Sequence, residues 1–105
     1  MNNSNNQIID VVSIAHFDIA LEPCPFCDGT ARFYKEIHGV KYYERISLNV
    51  SCGSCGASTM IFYVNDLAVR YPQKYSPMFS DYKPYTEFDA AKDAADSWNR
   101  RENKQ

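Results

Sequence analysis

Cys24-Pro25-Phe26-Cys27 and Cys52-Gly53-Ser54-Cys55 contain all four cysteines of this chain. A two-residue spacer lets the backbone fold back so that both sulfurs of a pair reach one ion. Two such pairs complete a tetrahedron in which each sulfur lies about 2.3 Å from zinc. Because four thiolates leave no coordination position open, the sequence predicts a structural rather than a catalytic site. We expect one Zn²⁺ per chain, bound by Cys24, Cys27, Cys52 and Cys55.

Other uses of paired cysteines fit the sequence less well, with one exception. Disulfides need an oxidising compartment, and residues 1–7 lack the charged and apolar regions of a signal peptide. A redox-active Cys-x2-Cys motif usually occurs once, at the start of a helix, whereas here the motif occurs twice. A rubredoxin-like iron site uses the same four thiolates in the same pairs, so iron stays open beside zinc.

The composition narrows the function classes. The chain has 105 residues and a formal net charge of -2, and four thiolates binding a divalent ion make it more acidic. Proteins that bind nucleic-acid phosphates usually have a clustered basic face, so we do not expect direct nucleic-acid binding as the main activity. No segment approaches the ~20 apolar residues of a membrane span. We expect a soluble, cytoplasmic protein.

Hydrophobic alternation predicts a hairpin between the two cysteine motifs. Residues 31–37 and 40–51 alternate around His38-Gly39 and predict two antiparallel strands. Residues 58–64 alternate again and predict a third strand. The order of knuckle, hairpin, knuckle and strand is that of a zinc ribbon.

The C-terminal segment predicts a helix over residues 87–102. Thr86 can cap it, with Asp89 as a short-armed capping-box partner. Phe88, Ala91, Ala95 and Trp98 are predicted to share the face that packs on the ribbon. The predicted fold is therefore α+β, a small zinc ribbon with a packed C-terminal helix. We assign residues 21–105 to this domain and residues 1–20 to a partly disordered N-terminal extension.

An insert over residues 66–85 interrupts the ribbon with three prolines and five aromatic residues. Two interpretations stay open: the aromatic residues enlarge a small core, or they bind a partner protein. In the second case Asp66 and Asp81 would lie at the rim and attract a basic surface. The candidate partner-binding residues are Tyr71, Tyr75, Phe79, Tyr82 and Tyr85.

Three separated motifs together resemble one family. They are Leu21-Glu22-Pro23-Cys24-Pro25-Phe26-Cys27, Val50-Ser51-Cys52-Gly53-Ser54-Cys55-Gly56-Ala57, and a terminal segment that ends Ser97-Trp98-Asn99-Arg100-Arg101. In this order they resemble the restriction alleviation proteins of the Lar family. The resemblance covers residues 21–64 and 86–101. The sequence departs from the family pattern at Asp28, where the family usually has glycine, and in the length of the insert.

The resemblance implies a small phage or prophage protein that protects incoming DNA by modulating a host type I restriction and modification enzyme. It implies a location in the bacterial host cytoplasm. The helix itself predicts structural roles in the closing motif: Trp98 buried against the hairpin, Asn99 at the helix end, and Arg100 and Arg101 at the negative end of the helix dipole. The residues themselves show no set of acid, base and nucleophile, so we expect no enzymatic activity. The alternatives are an adaptor zinc ribbon that docks on a transcription or other nucleic-acid enzyme and, less favoured, rubredoxin-like electron transfer.

Overall fold

The computed structural model describes residues 8–75, 77 and 81–100, which form a four-stranded antiparallel sheet and three helices. The strands are β1 (Ile9–Ala15), β2 (Ala31–Gly39), β3 (Arg45–Cys52) and β4 (Phe62–Tyr63), in the spatial order β1-β2-β3-β4. The helices are α1 (Leu67–Arg70), α2 (Pro72–Tyr75) and α3 (Glu87–Arg100). The predicted α+β class, with a sheet and a C-terminal helix, is confirmed.

The predicted hairpin forms the centre of the sheet. β2 and β3 pair in a register that places Phe33 opposite Val50 and Ile37 opposite Ile46. Leu48 and Val50 are almost completely buried because the alternation directs them toward α3. β3 begins at Arg45 rather than at residue 40, since residues 40–44 form the turn. Gly39 is required there, because its φ is +123° and a Cβ would lie 2.6 Å from the carbonyl oxygen of Tyr43.

Part of the expected N-terminal extension is an ordered strand. β1 pairs with β2 along its whole length, from Ile9 opposite Gly39 to Ala15 opposite Phe33. Five of its seven residues are exposed. The sequence pattern does not alternate there because both faces of much of this outer strand are open to solvent. Residues 1–7, which we expected to be disordered, lie outside the described residues.

The predicted third strand is shorter than expected. Of residues 58–64, only Phe62 and Tyr63 form β4, and Ser58 makes an isolated bridge to Ser51. The hydroxyl oxygen of Thr59 accepts a hydrogen bond from the Val50 N–H at 3.1 Å. Because a side chain takes the place of a backbone partner, the ladder between β3 and this segment is interrupted.

The C-terminal helix begins with the predicted capping box. The Thr86 hydroxyl oxygen accepts a hydrogen bond from the Asp89 N–H at 3.2 Å, and the Asp89 carboxylate accepts one from the Thr86 N–H at 3.0 Å. The second bond is the main reason that the pKa of Asp89 is lowered. The helix ends at Arg100 among the described residues, and residues 101–102 of the predicted span lie outside them.

Small residues bring α3 close to β3. The buried stripe consists of Ala90, Ala91, Ala94, Ala95 and Trp98. The expectation that Phe88 belongs to this face is wrong, since Phe88 is 53% exposed. Ala90 and Ala94 shift the centre of the stripe around the helix, which leaves Phe88 at its edge. Among the described residues, no helix is both long and apolar enough to cross a membrane.

Trp98 is the largest fully buried side chain. We expect Trp98→Ala to lower the free energy of unfolding by about 3–5 kcal/mol, because truncation leaves a cavity between α3 and the sheet. Denaturant unfolding of the metal-loaded protein measures the loss. Phe88→Ala is the matched control, since it removes an aromatic ring from the exposed side of the same helix. Equal losses in the two variants would contradict the assignment of Trp98 to the core.

Candidate metal centre

The two cysteine motifs form equivalent loops. In the first loop the Cys24 N–H donates to the Gly29 carbonyl oxygen at 2.9 Å, and the Asp28 N–H donates to the Cys24 carbonyl oxygen at 2.8 Å. The second loop repeats both bonds. The Cys52 N–H donates to the carbonyl oxygen of residue 57 at 2.8 Å, and the N–H of residue 56 donates to that of Cys52 at 3.2 Å. Each loop therefore holds its two sulfurs in the same relative position.

The residue after each second cysteine adopts a left-handed conformation. Gly56 has a φ of 83°, and Asp28, at the corresponding place in the first loop, has a φ of 65°. Glycine adopts this conformation freely, and aspartate is one of the few other residues that tolerate it. This geometry explains why Asp28 can stand where the resembled family usually has glycine. The displaced glycine, Gly29, is needed for a different reason, because a Cβ there would lie 3.0 Å from the Cys52 sulfur.

The loops bring all four sulfurs together. The Sγ atoms of Cys24 and Cys55 are 3.6 Å apart, those of Cys27 and Cys52 are 3.4 Å apart, and all four lie within 4.8 Å of one another. In a tetrahedron with metal–sulfur distances of about 2.3 Å, neighbouring sulfurs are about 3.8 Å apart. The four cysteines therefore fit one tetrahedral ion, and this geometry serves zinc and iron equally.

Backbone N–H groups lower the pKa of two of the cysteines and so favour their thiolate forms. The N–H groups of Cys55 and Ser54 point at the Cys52 sulfur and lower its pKa to about 6. Burial raises the pKa of Cys24, but hydrogen bonds from the N–H groups of Phe26 and Cys27 lower it. The net shift of this pKa is downward. The Cys27 thiol, by contrast, is hydrogen-bonded to the Cys52 sulfur, which raises its pKa to about 12. Without a cation nearby, the four groups cannot all be ionised.

The end of α3 is tied to the first cysteine loop. The Trp98 indole N–H donates to the Glu22 carbonyl oxygen at 2.8 Å. The Asn99 side chain accepts a hydrogen bond from the Glu22 N–H at 2.9 Å and donates to the Ala20 carbonyl oxygen at 3.1 Å. Trp98 and Asn99 thus hold the chain just before Cys24. Arg100 is exposed, and Arg101 lies outside the described residues.

The candidate partner-binding residues lie in the insert, where the structure has α1 and α2. Tyr75 is buried, whereas Tyr71, Tyr82 and Tyr85 are half-buried. Their hydroxyls donate hydrogen bonds within the chain: Tyr71 to Glu44, Tyr75 to the Tyr42 carbonyl oxygen, Tyr82 to the Asn65 carbonyl oxygen and Tyr85 to Asp93. These bonds support the covering interpretation, while partner binding stays a prediction. Phe79 lies outside the described residues.

A partly buried ionic network, absent from the sequence prediction, connects the insert to the hairpin turn. Arg70 donates to Asp66 through Nε at 2.6 Å and to Glu44 through Nη1 at 3.2 Å. Burial raises the pKa of Glu44, but the Tyr71 hydroxyl and the Arg70 charge help to lower it, and the net shift is downward. The expectation that Asp66 lies at an exposed rim is wrong, because it is only 7% exposed. The i, i+4 spacing of Asp66 and Arg70 is visible in the sequence, but the contact with Glu44 is not.

The structure also places His38 between two carboxylates. His38 Nδ1 lies 3.1 Å from Asp10 and Nε2 lies 2.6 Å from Glu36. These three residues form a second group with metal-ligand chemistry. All three are at least partly exposed, and both ring nitrogens already face a carboxylate. The contacts are therefore explained as one polar bond between β1 and β2, to Asp10, and one within β2, to Glu36. His38 also lies outside the spacing of the two cysteine motifs, so the sequence gives it no ligand role.

Comparison of the chain with known protein families, curated proteins and solved structures found no match. The ions that the centre can bind are therefore inferred from the positions of its four sulfurs alone.

We expect one metal ion per chain and loss of this ion in Cys27→Ser. Cys27 is exposed, so the substitution leaves no cavity in the core and acts through the metal. Because metal binding and folding are coupled in small thiolate sites, the melting temperature should fall together with the metal content. Elemental analysis and thermal unfolding measure the two quantities, with Ser54→Ala as the control in the same region. Full metal content in Cys27→Ser would contradict the four-ligand site.

We expect Gly29→Ala to destabilise the centre by about 1–3 kcal/mol, the usual cost of forcing extra atoms into a packed site. The new methyl group would lie 2.9 Å from Ser54 Oγ and 3.0 Å from Cys52 Sγ. Gly53→Ala is the matched control, since a Cβ there meets nothing within 4 Å. Competition with a chromophoric chelator compares the metal affinities. Equal affinities in the two variants would show that the loops do not pack as described.

Proposed function

We propose that this chain is a non-enzymatic, zinc-binding phage-type protein that modulates a host type I restriction and modification enzyme and so protects incoming DNA. The observation that carries the proposal is the contact of the closing Trp98 and Asn99 with the residues just before Cys24. In the sequence these motifs lie at opposite ends of the resemblance to the Lar family. In the fold the closing motif and the first cysteine motif are in contact, which supports treating the separated motifs as one family pattern.

Zinc is the proposed ion. A closed set of four thiolates in two Cys-x2-Cys loops is typical of structural zinc sites. Such a site holds the fold and leaves no position for a reacting water molecule, which supports a binding rather than a catalytic role. A rubredoxin-like iron centre would be red when oxidised, whereas the zinc protein would be colourless, so the visible spectrum of the purified protein separates the two.

The proposed partner is a protein complex. The chain has a net charge of -2, and the Arg70 side chain already forms salt bridges with Glu44 and Asp66. Neither feature favours a nucleic acid as the partner. Large apolar side chains are nevertheless exposed at the end of the molecule that holds the insert, among them Tyr43 at 64% and Val69 at 58%. Aromatic and apolar residues of this kind commonly anchor protein interfaces. The hairpin turn and insert are therefore the proposed contact surface.

We expect expression of this chain to raise the plating efficiency of unmodified phage on a host with a type I restriction enzyme. The efficiency should approach that on the same host without the enzyme. Cys27→Ser should lose the effect because it loses the metal, and Gly53→Ala should keep it. Unchanged plating with folded, metal-loaded protein in the cell would contradict restriction alleviation. Copurification of a transcription enzyme instead would favour the adaptor alternative.

A test of the insert requires a variant in which no buried charge loses its partner. Replacing residues 66–83 with a Gly/Ser linker removes both Arg70 and its buried partner Asp66. Glu44 would then be left without Arg70, so we combine the replacement with Glu44→Gln and compare it with Glu44→Gln alone. Loss of protection only in the combined variant, with metal content and helix signal unchanged, places the contact surface in the insert. Retained protection in a folded combined variant would show that the insert does not bind the partner.

A further inference from the structure

Among the described residues, β1 forms an outer edge of the sheet. It is the outer strand in the order β1-β2-β3-β4, so the described part of the chain has no strand on its other side. An outer strand leaves backbone N–H and C=O groups unpaired, and proteins usually shield them with lysine, proline, bulges or a covering segment. Residues 9–15 contain neither lysine nor proline. Instead Val11, Val12 and Ile14 are exposed at 48%, 64% and 43%.

The side chains of this strand complement a second copy of themselves. In an antiparallel pair of β1 strands with the two-fold axis at Ser13, Val12 faces Ile14 of the other copy and Asp10 faces His16. Residues 10, 12, 14 and 16 lie on one face of the extended chain. The apolar pairs therefore lie next to the axis, and the acidic residue meets the imidazole at each end. His16 can donate a hydrogen bond to Asp10 in either its neutral or its protonated form.

A groove lies where the second copy would end. It has a volume of about 490 Å³ and is lined by residues that include Phe17, Leu21 and Phe33. Phe17 and Phe33 pack edge to face, with ring centroids 5.1 Å apart. The same register places Ile9 of the second copy beside Phe17, and Ile8, which is 77% exposed, is next to it. Each copy thus offers an apolar end and, at the opposite end of the same strand, a groove of mixed polarity that contains Phe17 and Phe33.

We propose that this protein forms a symmetric dimer in which two copies pair antiparallel through β1 and join their sheets into one. The interface is isologous, because the same strand supplies both sides. The argument uses neither the metal nor the proposed activity, so the dimer goes beyond the proposed function and can be tested separately from it.

Analytical ultracentrifugation of the metal-loaded protein tests the dimer. We expect a mass twice that of the 12.1 kDa chain, with dissociation on dilution. Val12→Lys should reduce the mass by half, since it places an ammonium group against the apolar side chain of Ile14 in each half of the interface. Met60→Lys is the control: Met60 is as exposed as Val12, at 69%, but lies outside β1. A monomeric unsubstituted protein at all concentrations, or a dimer that Val12→Lys leaves intact, would overturn the proposal.

Hydrogen exchange of the unsubstituted protein provides a test that needs no variant to fold. Amides of residues 9–15 that face away from β2 should be protected at high protein concentration and lose this protection on dilution. Amides of β1 that bond to β2, and amides of β3, should not change. Equal protection of β1 at both concentrations would also overturn the proposal. Ser13→Cys tests the register, because only a two-fold axis at residue 13 brings these two sulfurs within bonding range. The unsubstituted protein, oxidised in the same way, is its control, and absence of a cross-linked dimer would exclude this register.

Discussion

The placement of four cysteine sulfurs within reach of one ion is the constraint on which the rest of the structure depends. Two backbone loops place the sulfurs 3.4 Å and 3.6 Å apart in pairs, and the loops hold them there through their own hydrogen bonds. Four ionised thiolates at these distances require a cation. A small domain with a limited core gains much of its stability from such a cross-link. A metal ion bound by these four sulfurs would therefore support the fold itself.

The hydrophobic core includes two of the four cysteines. Cys24 and Cys52 are themselves buried core residues beside Trp98, and the alanine stripe of α3 lies close against β3. Because Trp98 and Asn99 also bond the backbone at residues 20 and 22, the helix and the first cysteine loop support each other. Disturbing either side of this contact disturbs the other. The helix thus connects segments that are distant in the sequence, as an ion shared by the two cysteine loops would.

Short-range patterns made part of this structure predictable. The cysteine spacing predicted which residues come together, because two Cys-x2-Cys pairs match the ligand set of one tetrahedral ion. The alternation around Gly39 predicted the central hairpin, because it depends on neighbours in sequence. The capping box of Thr86 and Asp89 is local as well. β1 was not identified because an outer strand with two open faces has no binary pattern. The contact of Glu44 with Arg70 joins a turn to an insert, and no local signal encodes it. The identity of the metal is equally absent from the pattern, because zinc and iron accept the same ligands.

The ionic network explains how the insert is held without a large apolar core of its own. Glu44 is a nearly buried carboxylate that receives Arg70 and the Tyr71 hydroxyl on one oxygen, while its other oxygen is buried without a hydrogen-bond partner among the described residues. Buried charges add little net stability, because desolvation offsets their attraction, but they strongly disfavour any arrangement that separates them. Tyr42 is held in a left-handed conformation, with a φ of 72°, and its carbonyl oxygen accepts the Tyr75 hydroxyl. Both features fix the insert in one orientation on the hairpin turn. A surface fixed in this way loses little conformational freedom when it binds a protein, which is the property that the proposed contact surface requires.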